Sequence, residues 1–599
     1  MFELSITNHH NSAFVKLPES KYGFSKDLHE SISFTNPHII ISGSRFRKET
    51  GDYYENEDHV IVVVGKTFYR SAFSANLSSV NAAELLTQYK KHNEDFVNQL
   101  KGNFIIAIYT IKDNNLLVLK DTLGLKYFYH TCENNRFYLS TNLNDFKQIT
   151  KKINYAAVIE KLIFTYPIGE ESYLEDVFVL KEGGRLRINN GNLFKDTWTS
   201  INSLFAIDPL NKKIDKQAFL RIFEKNVLQR ASVANIINAS LTGGFDGRSN
   251  IAVLLNHKKK FHAYSFGKQG GENTVIPKQI AEKLGLDYEP IYLEENFEQN
   301  YAQCALDAIY YSDGISIFER ANYIYALKKL PAHSLYNITG LIGGEIFSPV
   351  HQKTDYINTT YYNIIYLEMD FSIKALLLEK NIKKYINDDI IENKLTQQKI
   401  TDNIEKRRKL VRDWKNEDFG WMYYLKDLIS LGFRQFYGNQ MHLERFYNEN
   451  LTPFYDIDMI EYLFSTRHIL RYRHAFKDSL FLRRNNRKMQ TWIISRFSKE
   501  LAAIPVDRGY PPIYTTDIRW LLIPFFFFMR RCKLKQSEPE FSSSSWCNLL
   551  YKVIKKDSFS FSSELLNSTN TIDAIEKYNS GCYSKNFNQA LSIAIWLQQ

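Results

Sequence analysis

The sequence predicts an α/β chain in two parts, a layered β-rich domain over residues 1–195 and a parallel, doubly wound α/β domain over 215–530. Three observations carry that reading. Residues 1–195 alternate short β-like runs with Gly and Asn turns, the pattern of layered sheets. From residue 233 onward, apolar strands alternate with helical patterns in the βαβαβ rhythm that a parallel sheet requires. Between the first strand and first helix of that rhythm lies Leu241-Thr-Gly-Gly-Phe-Asp-Gly-Arg248.

Taken in order, the β-like runs of the first part are His38–Ser42, Val60–Val64, Phe104–Thr110, Leu116–Leu119, Phe137–Ser140 and Arg185–Ile188, with one helix near Ala82–His92. Residues 196–214 form a linker, read as a connection over Ser200–Lys213. The strand Val233–Ser240 leads into the Gly-rich loop and a helix marked by Ile251, Leu254 and Leu255. Phe261–Gly267 is the next strand, Gln279–Gly285 the helix after it, and Tyr288–Leu293 the third strand. Residues 351–500 are helix-rich, and the charge-dense Lys374–Lys415 reads as a solvated helix face. Trp520–Met529 is the most apolar run; at ten residues it is too short to span a bilayer and reads as a buried helix or docking face. Residues 531–599 form a Ser-rich extension of short helices and mobile loops, including Phe541–Ser545 and Ser558–Ser563.

Composition narrows the function. At 599 residues the chain has room for two or more domains and a large core. Its net charge of +10 is a modest excess, fitting an anionic substrate or simply a mixed surface. No basic-aromatic stripe argues for nucleic acid. The five cysteines (Cys132, Cys304, Cys532, Cys547 and Cys582) show neither CxxC nor metal-ligand spacing, which suggests a reducing compartment. The first residues lack the regions of a signal peptide, so the cytoplasm and no membrane partner are expected. Gly65-Lys-Thr67 mimics the end of a Walker loop, but Val60 stands where that loop needs glycine.

The loop at 241–248 suits a phosphate. A strand, a double-glycine turn and a helix start present backbone N–H groups to an anion. Gly243 and Gly244 permit close approach, Thr242 offers a hydroxyl, and Asp246 is placed to hold the Mg²⁺ that a triphosphate carries. The same residues would serve equally in a plain strand-to-helix turn.

The loop resembles the Ser-Gly-Gly-x-Asp-Ser pyrophosphate loop of substrate-adenylating ATP pyrophosphatases. Phe96–Phe104 and the turn Lys120-Asp-Thr-Leu-Gly-Leu-Lys-Tyr-Phe-Tyr129 resemble strands of a class II glutamine amidotransferase domain. Together they are similar to the asparagine synthetase family, with its β-lactam synthetase and lasso-peptide cyclase relatives. That resemblance implies an Ntn-hydrolase-like N-terminal domain followed by an ATP-pyrophosphatase domain with helical additions. It implies ATP and pyrophosphate binding by Leu241, Thr242, Gly243, Gly244, Asp246, Gly247, Arg248, Phe266 and Gly340, with Asp246 and Glu345 as Mg²⁺ ligands. Gly247 and Arg248 replace two serines of the family loop, and the Arg248 guanidinium is expected to compensate by binding phosphate.

Asn337-Ile-Thr-Gly-Leu-Ile-Gly-Gly-Glu345-Ile-Phe347 stands where the family has Ser-Gly-Glu-Gly-Ala-Asp-Glu-Leu-Phe. Gly344 replaces the metal-binding Asp, and Glu345 is cast as base or, shifted by one residue, as metal ligand; a solvated Glu on a Gly-rich turn is the plainer reading. Asp456 of Leu451–Asp456 reads as a helix N-cap. In Ile504–Pro512, Asp507 occupies the family's lysine position and Arg508 beside it is the expected charge stabiliser, unless it merely caps a loop. Phe2 stands where an amidotransferase has its N-terminal Cys, so no glutaminase activity is expected. The resulting expectation is an ATP-dependent, AMP-forming ligase that activates a small-molecule or peptide carboxylate as an acyl-adenylate and transfers it to ammonia or an amine. The alternative is a non-catalytic member that binds nucleotide or peptide.

Overall fold

The computed structural model describes residues 3–8, 29–47, 51–133, 136–189, 191–205, 212–347, 357–417, 420–474, 480–534, 543–556, 564–567, 571, 575 and 585–598. The N-terminal strands are β1 (Glu3–Thr7), β2 (His29–Thr35), β3 (Ile40–Phe46), β4 (Tyr53–Glu55), β5 (His59–Tyr69), β6 (Leu100–Thr110), β7 (Asn115–Lys120), β8 (Tyr129–Glu133), β9 (Arg136–Ser140), β10 (Phe178–Val179), β11 (Gly184–Asn189) and β12 (Asn192–Thr197). They form two six-stranded sheets, ordered β10-β8-β9-β1-β3-β2 and β12-β11-β7-β6-β5-β4, with antiparallel pairing throughout.

Strand β5 shows why the sheets are layered. Its apolar residues point both ways, so Val60, Val62 and Val64 fill the space between the sheets with Leu4, Ile6, Ile41 and Leu139. Ile61 and Val63 face outward and are covered by Leu85 and Leu86 of α1 (Ala82–His92). Asn81 caps that helix by accepting from the Glu84 N–H. The expected β runs and single helix are all present here, and α2 (Tyr155–Phe164) adds a further, almost wholly buried helix.

The third sheet is parallel and five-stranded: β13 (Ile237–Ser240), β14 (Phe261–Gly267), β15 (Tyr288–Tyr292), β16 (Tyr336–Ile338) and β17 (Glu449–Leu451), ordered β15-β14-β13-β16-β17. Its crossover helices include α3 (Lys216–Ala231), α4 (Phe245–Asn256), α5 (Glu272–Leu284) and α6 (Glu295–Tyr311). The first strand is shorter than the sequence suggests, because residues 233–236 are a turn rather than ladder. From β13 the chain moves outward through β14 to β15, then returns to place β16 on the other side of β13. The order therefore reverses between β13 and β16, and loops leaving the two strands diverge there to open a crevice.

The two regions share buried polar contacts. The Lys101 ammonium on β6 lies 2.8 Å from Asn226 Oδ1 of α3, 3.3 Å from Asp456 Oδ2 and 3.0 Å from Asp458 Oδ2. Arg230 reaches the same Asp456 carboxylate at 2.8 Å. Asp456 also accepts from the Asp458 N–H and so caps Ile457–Phe464, as the sequence suggests.

In the C-terminal third, the structure adds detail to the sequence reading. The run Trp520–Met529 is not buried as a whole: Leu521, Leu522, Phe525, Phe528 and Met529 are exposed, while Phe526 and Phe527 pack inward. Residues 531–599 also contribute to the core. Their last helix, Lys585–Gln598, is core, with Ala590, Leu591, Ile593, Ala594, Ile595 and Trp596 fully buried. Trp596 donates to Asn144 Oδ1 at 2.8 Å, joining this helix to the N-terminal region. Phe541–Ser542, Ser558–Ser563 and 348–356 lie outside the described residues.

Candidate functional site

A cavity of about 320 Å³ occupies the crevice at the carboxyl ends of β13 and β16. Thr242, Asp246 and Gly247 line it from the first loop, Gly340, Leu341, Ile342 and Glu345 from the second, and Phe266 from the end of β14. The structure thus brings six of the sequence-selected residues to one space: Thr242, Asp246, Gly247, Phe266, Gly340 and Glu345.

Backbone geometry explains how the two loops meet. Gly244 is the extended N-cap of α4, and its N–H donates to Thr242 Oγ1 at 3.3 Å. A Cβ on Gly340 would stand 2.6 Å from Asp246 Cβ, and one on Gly343 would stand 2.8 Å from Asp246 Oδ1. Only glycine lets the second loop close over Asp246. Asn250, buried on α4, donates to the Thr339 carbonyl at 2.9 Å and locks the loops together. Ile342 completes the turn at φ 64°, a left-handed conformation that costs a β-branched residue energy.

Asp246 is the electrostatic centre. Burial pushes its carboxyl up to about 6, and the neighbouring Glu345 adds to that; Arg487, Gln490 and Arg508 oppose it. Gln490 donates directly to Asp246 Oδ1, and Arg487 donates to Gln490 Oε1 at 3.0 Å. Both lie on one face of the helix Leu480–Phe497. Sequence reasoning missed Arg487 and Gln490, since no local motif marks that helix.

The remaining candidates lie elsewhere. Leu241 is fully buried beneath the loop, with its N–H donating to the Tyr264 carbonyl at 2.9 Å. Gly243 packs against Asp507, whose N–H donates to the Gly243 carbonyl at 2.9 Å. Arg248 does not face the cavity, which overturns its expected role in gripping phosphate. It is fully buried, and its guanidinium donates to the carbonyls of Ile504 at 2.7 Å and Pro505 at 2.6 Å. Burial pulls it down to about 10, opposed by the charge of Asp507. Its work is to pin the 504–510 turn beside the loop. Arg508, half-buried on that turn, is near enough for its charge to act on Asp246.

The far end of the cavity is polar. Asn337 donates to the Tyr264 hydroxyl at 3.0 Å and to Asn450 Oδ1 at 3.1 Å, and Gln440 donates to Glu444 Oε1 at 2.9 Å. Burial raises the Glu444 carboxyl, with Asn450 and Gln440 opposing. Phe266 and Tyr323 meet edge-on at 5.1 Å and form an aromatic wall.

Fold and site define a two-part α/β chain: an Ntn-like layered domain, and a parallel-sheet domain with its cavity at the switch point. A family profile described as a glutamine amidotransferase domain matches residues 53–199. Glutamine-hydrolyzing asparagine synthetase 2 of Oryza sativa subsp. japonica is 21% identical over 249 residues, 39% of this chain and 38% of its own. A putative glutamine-hydrolyzing asparagine synthetase 2 of Methanocaldococcus jannaschii is 22% identical over 264 residues, 41% of this chain and 51% of its own. The chain thus spans only 38% to 51% of these relatives' length. A solved glutamine phosphoribosylpyrophosphate amidotransferase from B. subtilis, complexed with ADP and GMP, covers 42% of this chain and 51% of its own at 11% identity. Its TM-score against this chain is 0.19. On the domain match and the curated relatives, the chain carries a glutamine amidotransferase domain and is similar, at low identity, to asparagine synthetases.

No helix among the described residues is long and apolar enough to cross a membrane.

Proposed function

We propose that the chain is an ATP-dependent, AMP-forming ligase that activates a carboxylate as its acyl-adenylate and passes the acyl group to ammonia or an amine. The observation that carries this reading is the pairing of Asp246 and Glu345 in one cavity at the switch point, beside the Thr242 loop and within the field of Arg487 and Arg508. Phe266 and Tyr323 supply a wall suited to a purine. Thr242 and the start of α4 supply donors to phosphate.

The residues present fit Mg²⁺. Two carboxylates share the cavity, and the repulsion that helps Asp246 keep its proton is what a divalent cation relieves. Held by Asp246 and Glu345, Mg²⁺ would neutralise and orient the leaving pyrophosphate. In the reaction, the substrate carboxylate attacks the α-phosphorus of ATP and displaces pyrophosphate. The amine then attacks the acyl carbon and expels AMP. Arg508 and Arg487 offset negative charge as it builds, and Glu345 takes the amine's proton when it is not engaged with metal. Catalysis here is positioning and electrostatics. The polar end at Gln440 and Glu444 is the place for the acid or amine.

A non-catalytic, nucleotide-binding role is the second reading. It is favoured by Gly344 and Asp507, which stand where the resemblance to the asparagine synthetase motifs implies a metal-binding Asp and a Lys. ATP–pyrophosphate exchange with Mg²⁺, screened across aspartate, other amino acids and peptide acids, separates the two. Carboxylate-dependent exchange abolished in Asp246→Ala supports the ligase; ATP binding without exchange for any acid supports the second reading.

A further inference from the structure

At the opposite end of the parallel sheet, where its strands begin, three residues from separate segments converge. His262 lies at the start of β14, Glu289 at the start of β15, and His333 in the turn before β16. One ligand atom from each lies within 4.8 Å of the others. His262 Nε2 is 3.7 Å and His333 Nε2 3.4 Å from the same oxygen, Glu289 Oε2. The two imidazoles stack with centroids 3.5 Å apart and planes 6° from parallel.

The His262 ring is buried, with 4% of its side chain exposed, and neither ring nitrogen has a hydrogen-bond partner. A buried imidazole whose nitrogens make no hydrogen bond is costly, so nitrogens flanked by carboxylates yet left unbonded call for a ligand. Asp287 Oδ2 stands 3.1 Å from His262 Nδ1, where a carboxylate orients a metal-binding imidazole through its outer nitrogen.

We propose that His262, His333 and Glu289 form a transition-metal site, best matched to Zn²⁺, with Asp287 orienting His262 from behind. Two imidazoles and one carboxylate are a borderline-soft donor set that favours Zn²⁺ over Mg²⁺ or Ca²⁺. Metal–nitrogen bonds of about 2.0–2.1 Å draw the donors inward. Parallel ring planes cannot both contain one ion, so capture turns the exposed His333 ring out of the stack. The site lies at the amino ends of the strands, remote from the cavity at their carboxyl ends. It clasps β14, β15 and the lead into β16, and its role is to fix the sheet rather than to act on substrate.

The test uses the full chain, stripped of metal and titrated with Zn²⁺ or Co²⁺ in the absence of nucleotide. One ion should bind with a tetrahedral Co²⁺ visible spectrum, and Zn²⁺ should raise the thermal midpoint. His333→Ala and Glu289→Gln alter residues outside the core and should each weaken binding by at least about tenfold. Asp246→Ala should bind the ion as the parent does, which separates this site from the cavity carboxylates. Absence of binding in the folded parent overturns the proposal. So does an ion retained equally by both variants, or one lost in Asp246→Ala.

Discussion

Asp246 holds its proton to higher pH when folded than when unfolded, because burial raises it from 3.8 to about 6. Folded protein therefore binds more protons across that window, and stability falls as pH climbs from about 4 to 6. Mg²⁺ needs the ionised form, so metal-dependent exchange should decline below about pH 6, as a pH profile of the exchange rate would show. Asp246→Asn removes the buried charge. It should raise stability at neutral pH by about 1 kcal/mol in denaturant titrations while lowering exchange at least about a hundredfold. Gly340→Ala drives a methyl group into Asp246 Cβ and the Gly247 amide. It should cost about 1–3 kcal/mol and weaken ATP binding, measurable by calorimetry. Asp246, Thr242, Gly340 and Glu345 were legible in the sequence because each sits in a short motif at a strand end. Gln490 was not: it reaches Asp246 across 244 residues from an unmarked helix.

The strand-order reversal between β13 and β16 governs the site at the level of elements. Alternating strand and helix patterns revealed that the sheet is parallel, but not which strand lies beside which; β17 joins from beyond a long helical insertion. Arg248 illustrates the limit. A basic residue in a phosphate-type loop reads as a phosphate ligand, yet it sits on the buried face of α4 and holds the 504–510 turn. Arg248→Ala should therefore destabilise by about 2–4 kcal/mol, leaving two carbonyls without donors. Arg508→Ala should leave the thermal midpoint within about 2 °C while slowing exchange about tenfold or more. Thermal unfolding and exchange assays on the pair distinguish the anchoring cation from the acting one.

Over the whole molecule, buried polar contacts tie the two sheet systems together. Lys101 places a buried cation among Asn226, Asp456 and Asp458, and Trp596 ties the last helix to Asn144. Neither tie was visible in the sequence, since a Ser-rich tail masks a terminal core helix and a lone Lys on a strand looks like surface. Trp596→Ala should cost about 3–5 kcal/mol and lower the stability of both regions together, seen as a single shifted calorimetric transition. The central claim, that the switch-point cavity binds ATP with its metal, is tested most directly by calorimetry of ATP with Mg²⁺ on the full chain and on Asp246→Ala. The parent should bind one nucleotide, and the variant should bind at least about tenfold more weakly. A folded parent that binds no ATP, or a variant that binds it equally well, would contradict it.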